Sequence, residues 1–188
     1  MKLRFAPLLL AFVLTGCSFS IPLIGPSTEV HYYVLDAPVP THGTMRSSCI
    51  GVLPVSLPGY LSRPQLVVRE RDSVNISIRD FDRWGEELSR GVSRVLCNAL
   101  SAQGFSAVPL RTGTQVDSKL MLDIRRFDGP LEGDVVLDAV WTLQKNKTVL
   151  ASGHFVTTRP SGRTLKSMVE AQSLLIQDLA KDIACSLD

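Results

Sequence analysis

The strongest constraint on the fold of this chain is a strict alternation of apolar and polar side chains in its second half. Three runs carry the pattern, residues 119–127, 134–144 and 149–158, and the turn-forming segments 128–130 and 146–147 separate them. A period of two residues, with one apolar and one polar face, is typical of antiparallel strands in a sheet with one solvated face. This part of the sequence therefore predicts a three-stranded antiparallel meander.

Two other segments repeat their apolar side chains at the spacing of an α-helix. The first is predicted to begin at an N-cap on Asp82, to include Trp84 in its apolar stripe and to end near Gln103, with Gly104 as the residue after its last turn. The second covers residues 165–183, whose apolar stripe continues almost to the end of the chain. Both segments are predicted to be long amphipathic helices.

Several shorter apolar runs complete the pattern. Residues 30–36, 49–55 and 105–110 are predicted to be strands, and residues 65–70 and 74–79 a hairpin. Since the strands cluster around two helices, we expect an α+β fold with a mostly antiparallel sheet and both long helices packed on one face.

The composition bounds the class of protein. After the N-terminal segment, the rest of the chain (29–188) is long enough for a single α+β domain with a sizeable core. The chain has 20 basic and 18 acidic side chains, a formal net charge of +2. Such a balance provides no strongly positive surface, which excludes nucleic acid as an expected partner.

The N-terminus has the organisation of an export signal. Lys2 and Arg4 precede an apolar run over residues 5–14, which is too short to cross a bilayer and suits a secretory signal. The run ends in Leu-Thr-Gly-Cys at residues 14–17, which resembles the lipobox of bacterial lipoproteins. That resemblance implies removal of residues 1–16 as a signal peptide and acylation of the new N-terminal Cys17.

The lipid anchor implies a location and a tether. Several acyl chains on one residue hold a protein on a membrane far more firmly than one chain does. Ser18 follows the modified cysteine, where an Asp would favour retention at the inner membrane, so we expect the periplasmic face of the outer membrane. Residues 17–28 contain Pro22, Gly25 and Pro26 and are expected to be the lipidated Cys and its tether.

Three cysteines remain in the mature chain: Cys49, Cys97 and Cys185. The periplasm is oxidising, so a disulfide is expected, and Cys49–Cys185 is favoured because both residues end an element. Cys97 is predicted to lie away from the apolar stripe of its helix and to stay free. Cys97–Cys185 remains the alternative, since connectivity cannot be derived from spacing. No Cys or His spacing predicts a metal site, and no cofactor is expected.

Several segments together resemble the family of ABC-transport auxiliary lipoproteins. The matching pieces are residues 32–35, 57–65 and 83–88, with Phe127 and Trp141 on the predicted meander. The resemblance implies an outer-membrane lipoprotein that docks, by protein–protein contact, an MCE-domain protein of an ABC lipid transport system that maintains the envelope. It also implies self-association of the lipoprotein into homo-oligomers. The alternative is an envelope-assembly lipoprotein, or a lipid carrier that binds its cargo directly.

The segment from Leu57 to Gln65 is rich in apolar residues directly after a predicted strand. One interpretation is a partner-binding surface formed by Leu57, Tyr60, Leu61 and Arg63, since exposed apolar loop residues often mark interfaces. The other interpretation, slightly favoured, is a loop folded over the core that buries the Tyr and the second Leu. The two stay open at this point.

Catalysis is not expected. The chain has three histidines, His31, His42 and His154, and none belongs to a nucleophile or metal motif. Ser152-Gly153-His154 lies within a predicted strand and lacks the Gly-x-Ser-x-Gly elbow of hydrolases. No phosphate-binding glycine loop is present in the sequence. The sequence thus favours a protein that acts by contact.

Overall fold

A computed structural model of the chain describes residues 29–39 and 46–187. The predicted signal peptide, Cys17, the tether and His42 lie outside these residues. The described elements, in chain order, are β1 (His31–Tyr33), β2 (Cys49–Val52), β3 (Gln65–Arg69), β4 (Ile76–Trp84), α1 (Leu88–Ala102), β5 (Ser106–Pro109), β6 (Ser118–Asp128), β7 (Asp134–Lys145), β8 (Thr148–Pro160) and α2 (Leu165–Ser186). In this part of the chain, neither helix has the length and hydropathy needed to cross a membrane.

Five strands form the larger sheet, in the order β5-β2-β6-β7-β8. Strands β6, β7 and β8 pair antiparallel along most of their length, with Leu122 opposite Trp141 and Trp141 opposite Gly153. The predicted meander is therefore confirmed. Strand β2 pairs parallel with both β5 and β6.

One irregularity interrupts the alternation on β6. The register shifts between Ile124 and Arg126, so Phe127 returns to the buried side opposite Leu137. Such a bulge inserts one extra residue into a strand. Because successive side chains of a strand point to opposite faces, Asp128 leaves the strand on the other face from Phe127.

A smaller sheet contains three strands in the order β1-β4-β3. The predicted hairpin is confirmed as β3 and β4, which pair antiparallel, whereas β1 pairs parallel with β4. The fold is α+β as expected, but its sheets are mixed rather than mostly antiparallel. The parallel pairs join strands that are distant in sequence, and a side-chain period of two does not reveal strand direction.

Helix α1 begins later than predicted. Strand β4 continues through Asp82 to Trp84, Glu87 is the N-cap without a side-chain hydrogen bond, and the helix starts at Leu88. The N-cap prediction at Asp82 was wrong because β1 pairs with residues 82–84 and holds them extended. The helix ends as predicted, with Gly104 at φ 85°, a conformation that glycine adopts without a Cβ clash.

The core lies between the helices and the sheets. Helix α1 packs against α2 and β5, and α2 packs against β7 and β8. The largest fully buried side chains come from both helices, both sheets and the segment after β1: Trp141, Phe127, Leu35, Leu66, Leu96, Leu100, Leu120, Ile124, Leu137, Met168, Leu175 and Ile176. Trp141 is thus a core residue.

The prediction that Cys97 lies away from the apolar stripe of its helix was wrong. Cys97 is buried in the core, because α1 contacts α2 on one side and β5 on another and its buried face is wide. Cys49 is partly exposed and Cys185 exposed, and all three are free thiols in this structure. The Cys49–Cys185 disulfide stays a prediction.

Candidate partner-binding groove

A surface groove lies where the β2–β3 connection meets the β4–α1 connection. We call residues 54–64 the groove loop. The groove has a volume of about 650 Å³. Its lining residues come from these two connections, the end of β4 and the start of α1: Pro54, Val55, Leu57, Leu61, Ser62, Arg63, Pro64, Trp84, Gly85, Glu86, Glu87, Leu88 and Ser89. The site is therefore built by two segments that are distant in sequence.

The groove has an apolar floor and a polar rim. Val55, Leu61, Trp84 and Leu88 are buried members of the core that reach this surface. The rim is formed by polar and charged residues: Ser62, Arg63, Glu86, Glu87 and Ser89. An apolar centre within a polar margin is the usual organisation of a protein–protein contact surface.

Backbone hydrogen bonds hold the groove loop in place. The Leu61 amide donates to the Pro58 carbonyl at 2.9 Å, which closes a turn at Gly59 and Tyr60. The Trp84 amide donates to the Pro64 carbonyl at 2.7 Å and joins the loop to the end of β4. Because these bonds are made by the backbone, they fix the path of the loop independently of its side chains.

A buried carboxylate, that of Asp128, holds the groove loop against the sheets. The Tyr60 hydroxyl donates to Asp128 Oδ2 at 2.5 Å. The Arg69 guanidinium donates to both oxygens of the same carboxylate, at 2.6 and 2.9 Å, and Arg126 Nε donates to Oδ1 at 3.1 Å. We call these four residues the Asp128 cluster. It joins the groove loop, β3 of the small sheet and β6 of the large sheet.

The electrostatics of the Asp128 cluster favour an ionised carboxylate. Burial acts to raise the pKa of Asp128, but hydrogen bonds from Arg69 and Tyr60 and the positive charge of Arg69 outweigh it and hold the pKa below its ordinary value. Burial, together with the hydrogen bond to Asp128, raises the pKa of Tyr60 to about 12. The tyrosine therefore remains a neutral donor and the aspartate a charged acceptor near neutral pH.

The opposite wall of the groove is held by a second ion pair. Glu86 Oε1 accepts from Arg94 on α1 at 2.6 Å, and the same guanidinium donates to the Leu35 carbonyl at 2.8 Å. Glu87 pairs with Arg90 at 3.2 Å, with both side chains mostly exposed. Exposed pairs of this kind contribute little to stability. The Glu87 side chain is 65% exposed, so its carboxylate is accessible to a partner.

The structure brings together three of the four predicted site residues. Leu57, Leu61 and Arg63 line the groove, with Leu61 buried in its floor and Arg63 Nε donating to the Tyr60 carbonyl at 2.8 Å. Tyr60 does not line the groove, since its hydroxyl is directed to Asp128. The segment is thus folded over the core and also forms one wall of a surface groove.

Sequence reasoning assigned Asp128 to a turn and missed its role. One signal pointed to it: the sequence Arg125-Arg126-Phe127-Asp128 breaks the alternation of β6, where the bulge occurs. The partner Arg69 lies 59 residues away, and no local pattern links the two. Arg83 Nε donates to the Asp80 backbone carbonyl at 3.3 Å.

The described histidines lie on the surface in separate sheets. His154 Nε2 is 2.8 Å from Asp138 on β7, and His31 Nδ1 is 3.6 Å from Asp82 on β4. Within residues 29–39 and 46–187, no group of three or more His, Cys, Asp or Glu side chains is arranged to hold a metal ion. Neither histidine contributes to the groove.

The fold and the groove define a small α+β domain that presents an apolar, charge-rimmed surface to its surroundings. Solved structures share this fold. One, of an uncharacterised protein, is 20% identical with a TM-score of 0.72 and covers 86% of this chain and 100% of its own. Another, of a protein from Xanthomonas campestris, is 18% identical with a TM-score of 0.67 and covers 82% of this chain and 93% of its own.

The family is shown by sequence. The sequence model of the family described as "ABC-type transport auxiliary lipoprotein component" matches residues 33–184. The chain belongs to this family, as the sequence motifs predicted, and it is an auxiliary lipoprotein of an ABC-type transporter. No curated protein matches the chain.

Proposed function

We propose that the chain is a lipoprotein on the periplasmic face of the outer membrane that docks an MCE-domain protein of an ABC lipid transport system. It acts by protein–protein contact and without turnover, and it helps to maintain the envelope. Family membership supports the auxiliary role and the transporter partner. Cys17 after a lipobox-like segment, followed by Ser18, supports the lipid anchor and the outer-membrane location.

The groove is the observation that carries the docking proposal. Leu57 offers apolar surface beside the buried Leu61, between Arg63 on one rim and Glu86 and Glu87 on the other. A complementary partner segment places an apolar side chain on the floor, a basic group toward the glutamates and an acidic group toward the arginine. Burial of the apolar centre supplies affinity, and the charged rim supplies specificity and register.

The anchor converts a modest contact into stable docking. A lipoprotein held on the membrane meets a partner at that membrane at high local concentration, so a contact of modest intrinsic affinity supports stable docking. Self-association belongs to the same proposal, since neighbouring copies in a ring would multiply the number of docking grooves. Cys49–Cys185 is proposed as a stabilising disulfide of the periplasmic domain.

Affinity capture from bacterial envelopes tests the docking proposal. The full-length lipidated chain is compared with the groove variants Leu57→Lys and Glu87→Arg, and with Val149→Lys as a matched control. Val149 is an exposed aliphatic residue at the start of β8, outside the groove. We expect the wild type and the control to recover an MCE-domain protein, and both groove variants to lose most of it.

The same capture can refute the proposal. Equal recovery by the groove variants excludes the groove as the docking site. Recovery of lipopolysaccharide-export or barrel-assembly proteins favours the envelope-assembly alternative, and co-purified lipid without a protein partner favours a carrier. A Cys17→Ser variant that kept its membrane fractionation and its mature mass would contradict the lipid anchor.

A further inference from the structure

The larger sheet ends in a long edge strand. Strand β8 has thirteen residues, and within residues 29–39 and 46–187 it pairs with β7 alone. Helix α2 packs on its inner face, where Ala151 and Phe155 are partly buried. In a strand with a neighbour on one side, every second residue directs its N–H and C=O groups away from that neighbour. The free side of β8 is therefore a row of hydrogen-bonding groups that another strand can use.

The other edges of the described sheets are short or charged. Strand β1 has three residues, β3 has five, and β5 has four and ends at Pro109. Residues 76–81 of β4 extend beyond the pairing with β1, and they include Arg79 and Asp80. Short length, proline and charged side chains are the usual features that prevent unwanted strand pairing. Each of these edges has at least one of them.

Strand β8 has none of these features over residues 151–158. The segment is Ala-Ser-Gly-His-Phe-Val-Thr-Thr, with no proline, lysine, arginine, aspartate or glutamate. Its register with β7 is regular, since the one shift in this pair lies before Ala151. Eight residues of extended strand cover about 27 Å. An unprotected edge of this length is a template for pairing with another chain.

The charged groups around this edge are engaged within the chain. The Arg159 guanidinium, directly after the segment, donates to Asp178 Oδ2 on α2 at 2.6 and 2.8 Å. His154 Nε2 lies 2.8 Å from Asp138 Oδ1 on β7. The edge thus offers backbone groups and uncharged side chains such as Val156, which is 57% exposed. An uncharged strand meets this edge without charge repulsion.

A second copy of the chain supplies a strand that fits the edge. Two copies of β8 can pair antiparallel about a two-fold axis, the symmetry of most dimers. The two segments then have equal length, and both lack charged side chains other than His154. Among the described strands, no other sheet edge has eight regularly paired residues. A contact of this length between the edges of two copies therefore uses β8 from both.

We propose, on the basis of the self-association in the proposed function, that residues 151–158 pair antiparallel with the same residues of a second copy. The two five-stranded sheets then become one continuous sheet. About eight backbone hydrogen bonds form across the new pair. The partly buried Phe155 gains cover from the inner face of the second sheet. The pairing uses none of the residues that line the groove, so both grooves stay available for docking.

Site-specific photo-crosslinking tests the pairing. The full-length lipidated chain carries a benzophenone amino acid at Val156 or, as the control, at Asp123, an exposed position on the interior strand β6. Two differently tagged forms are co-expressed and irradiated, and mass spectrometry identifies the crosslinked peptides. We expect position 156 to join the two forms within residues 148–160, at a several-fold higher yield than position 123. Equal yields, no adducts at position 156, or adducts there to another surface or another protein overturn the proposal.

Sedimentation velocity of the lipidated chain in detergent separates the pairing from self-association itself. Val156→Lys places a cation on each of the two adjoining edges, and Val74→Lys, at a 91% exposed valine in the β3–β4 turn, is the matched control. We expect dimers for the wild type and the control, and monomers with an unchanged Tm for Val156→Lys. A wild-type oligomer that persists in Val156→Lys refutes the pairing and leaves self-association standing. A monomeric wild type refutes both.

Discussion

Replacing Asp128 by Asn tests whether one buried carboxylate joins the groove loop to both sheets. The Asp128 side chain is fully buried and accepts hydrogen bonds from Tyr60, Arg69 and Arg126. Asparagine has nearly the same volume, so the change creates no cavity. It removes the negative charge and replaces one acceptor by a donor, which leaves two guanidinium groups beside a neutral amide.

The expected loss of stability follows from the exposure of the partners. Removing one member of a buried ion pair costs about 3–5 kcal/mol, because the remaining charge is left without compensation. The Arg69 side chain is 20% exposed and that of Arg126 is 39% exposed, so water solvates part of each remaining charge. We therefore expect the lower end of the range, about 3 kcal/mol, or a decrease in Tm of roughly 6–12 °C for a domain of this size.

Urea unfolding followed by tryptophan fluorescence measures this loss. The transition midpoint should fall while the m-value stays constant, since the buried surface does not change. Asp123→Asn is the matched control, an exposed aspartate on the same strand, and should change stability by less than about 0.5 kcal/mol. A loss below about 1 kcal/mol in Asp128→Asn, or one equal to the control, would refute the view that the cluster joins the sheets.

Three other predictions concern pH, a thiol and a glycine. Burial acts to raise the pKa of Asp128, but hydrogen bonds to the carboxylate hold that pKa below 3.8. The stabilisation by the charged carboxylate is therefore present above about pH 4 and is lost as the pH falls. Urea midpoints at pH 7 and pH 3 should differ more in the wild type than in Asp128→Asn. Burial raises the pKa of Cys97 to about 12, so a disulfide-exchange reagent at pH 8 should modify Cys97 only after unfolding. In protein whose proposed Cys49–Cys185 disulfide has first been reduced, the exposed Cys185 should react at once. Rapid labelling of native Cys97 on peptide mapping would contradict this expectation. In Gly153→Ala, the new Cβ would lie 2.7 Å from Trp141 Nε1, and overpacking should cost about 1–3 kcal/mol in thermal unfolding; an unchanged Tm would show that the indole can shift.

The meander and α2 were predictable because their signals are local. The alternation over residues 119–158 needs only the sequence of each strand and its turns. The capping residue of α2, Thr164, accepts a hydrogen bond from the Ser167 amide within the helix start itself, and Gly104 ends α1 through its own backbone conformation. Such features depend on neighbours within a few residues along the chain.

The start of α1 shows where local reasoning fails. Trp84 satisfies the apolar pattern of a helix and is buried at the end of a strand, so its burial alone does not distinguish the two. Strand β1 decided the outcome by pairing with Asp82 and Arg83, about 50 residues away in sequence. A competing hydrogen-bonding partner that is remote in the chain leaves no trace in the local spacing.

The groove combines both kinds of information. Composition marked Leu57, Leu61 and Arg63 as unusual loop residues, and local sequence was sufficient to select them. Only tertiary structure placed Trp84 and Glu86 opposite them and directed Tyr60 to a buried carboxylate.

Periodicity within each segment was thus enough to predict an α+β chain with a long meander and two amphipathic helices, and local composition was enough to mark the groove loop. The direction of β1 and β2, the partners of Asp128 and the closure of the groove were decided in three dimensions. The physical reason is that side-chain period reports which residues avoid water, while strand direction and ion pairing depend on which distant segment arrives to satisfy each backbone and each charge.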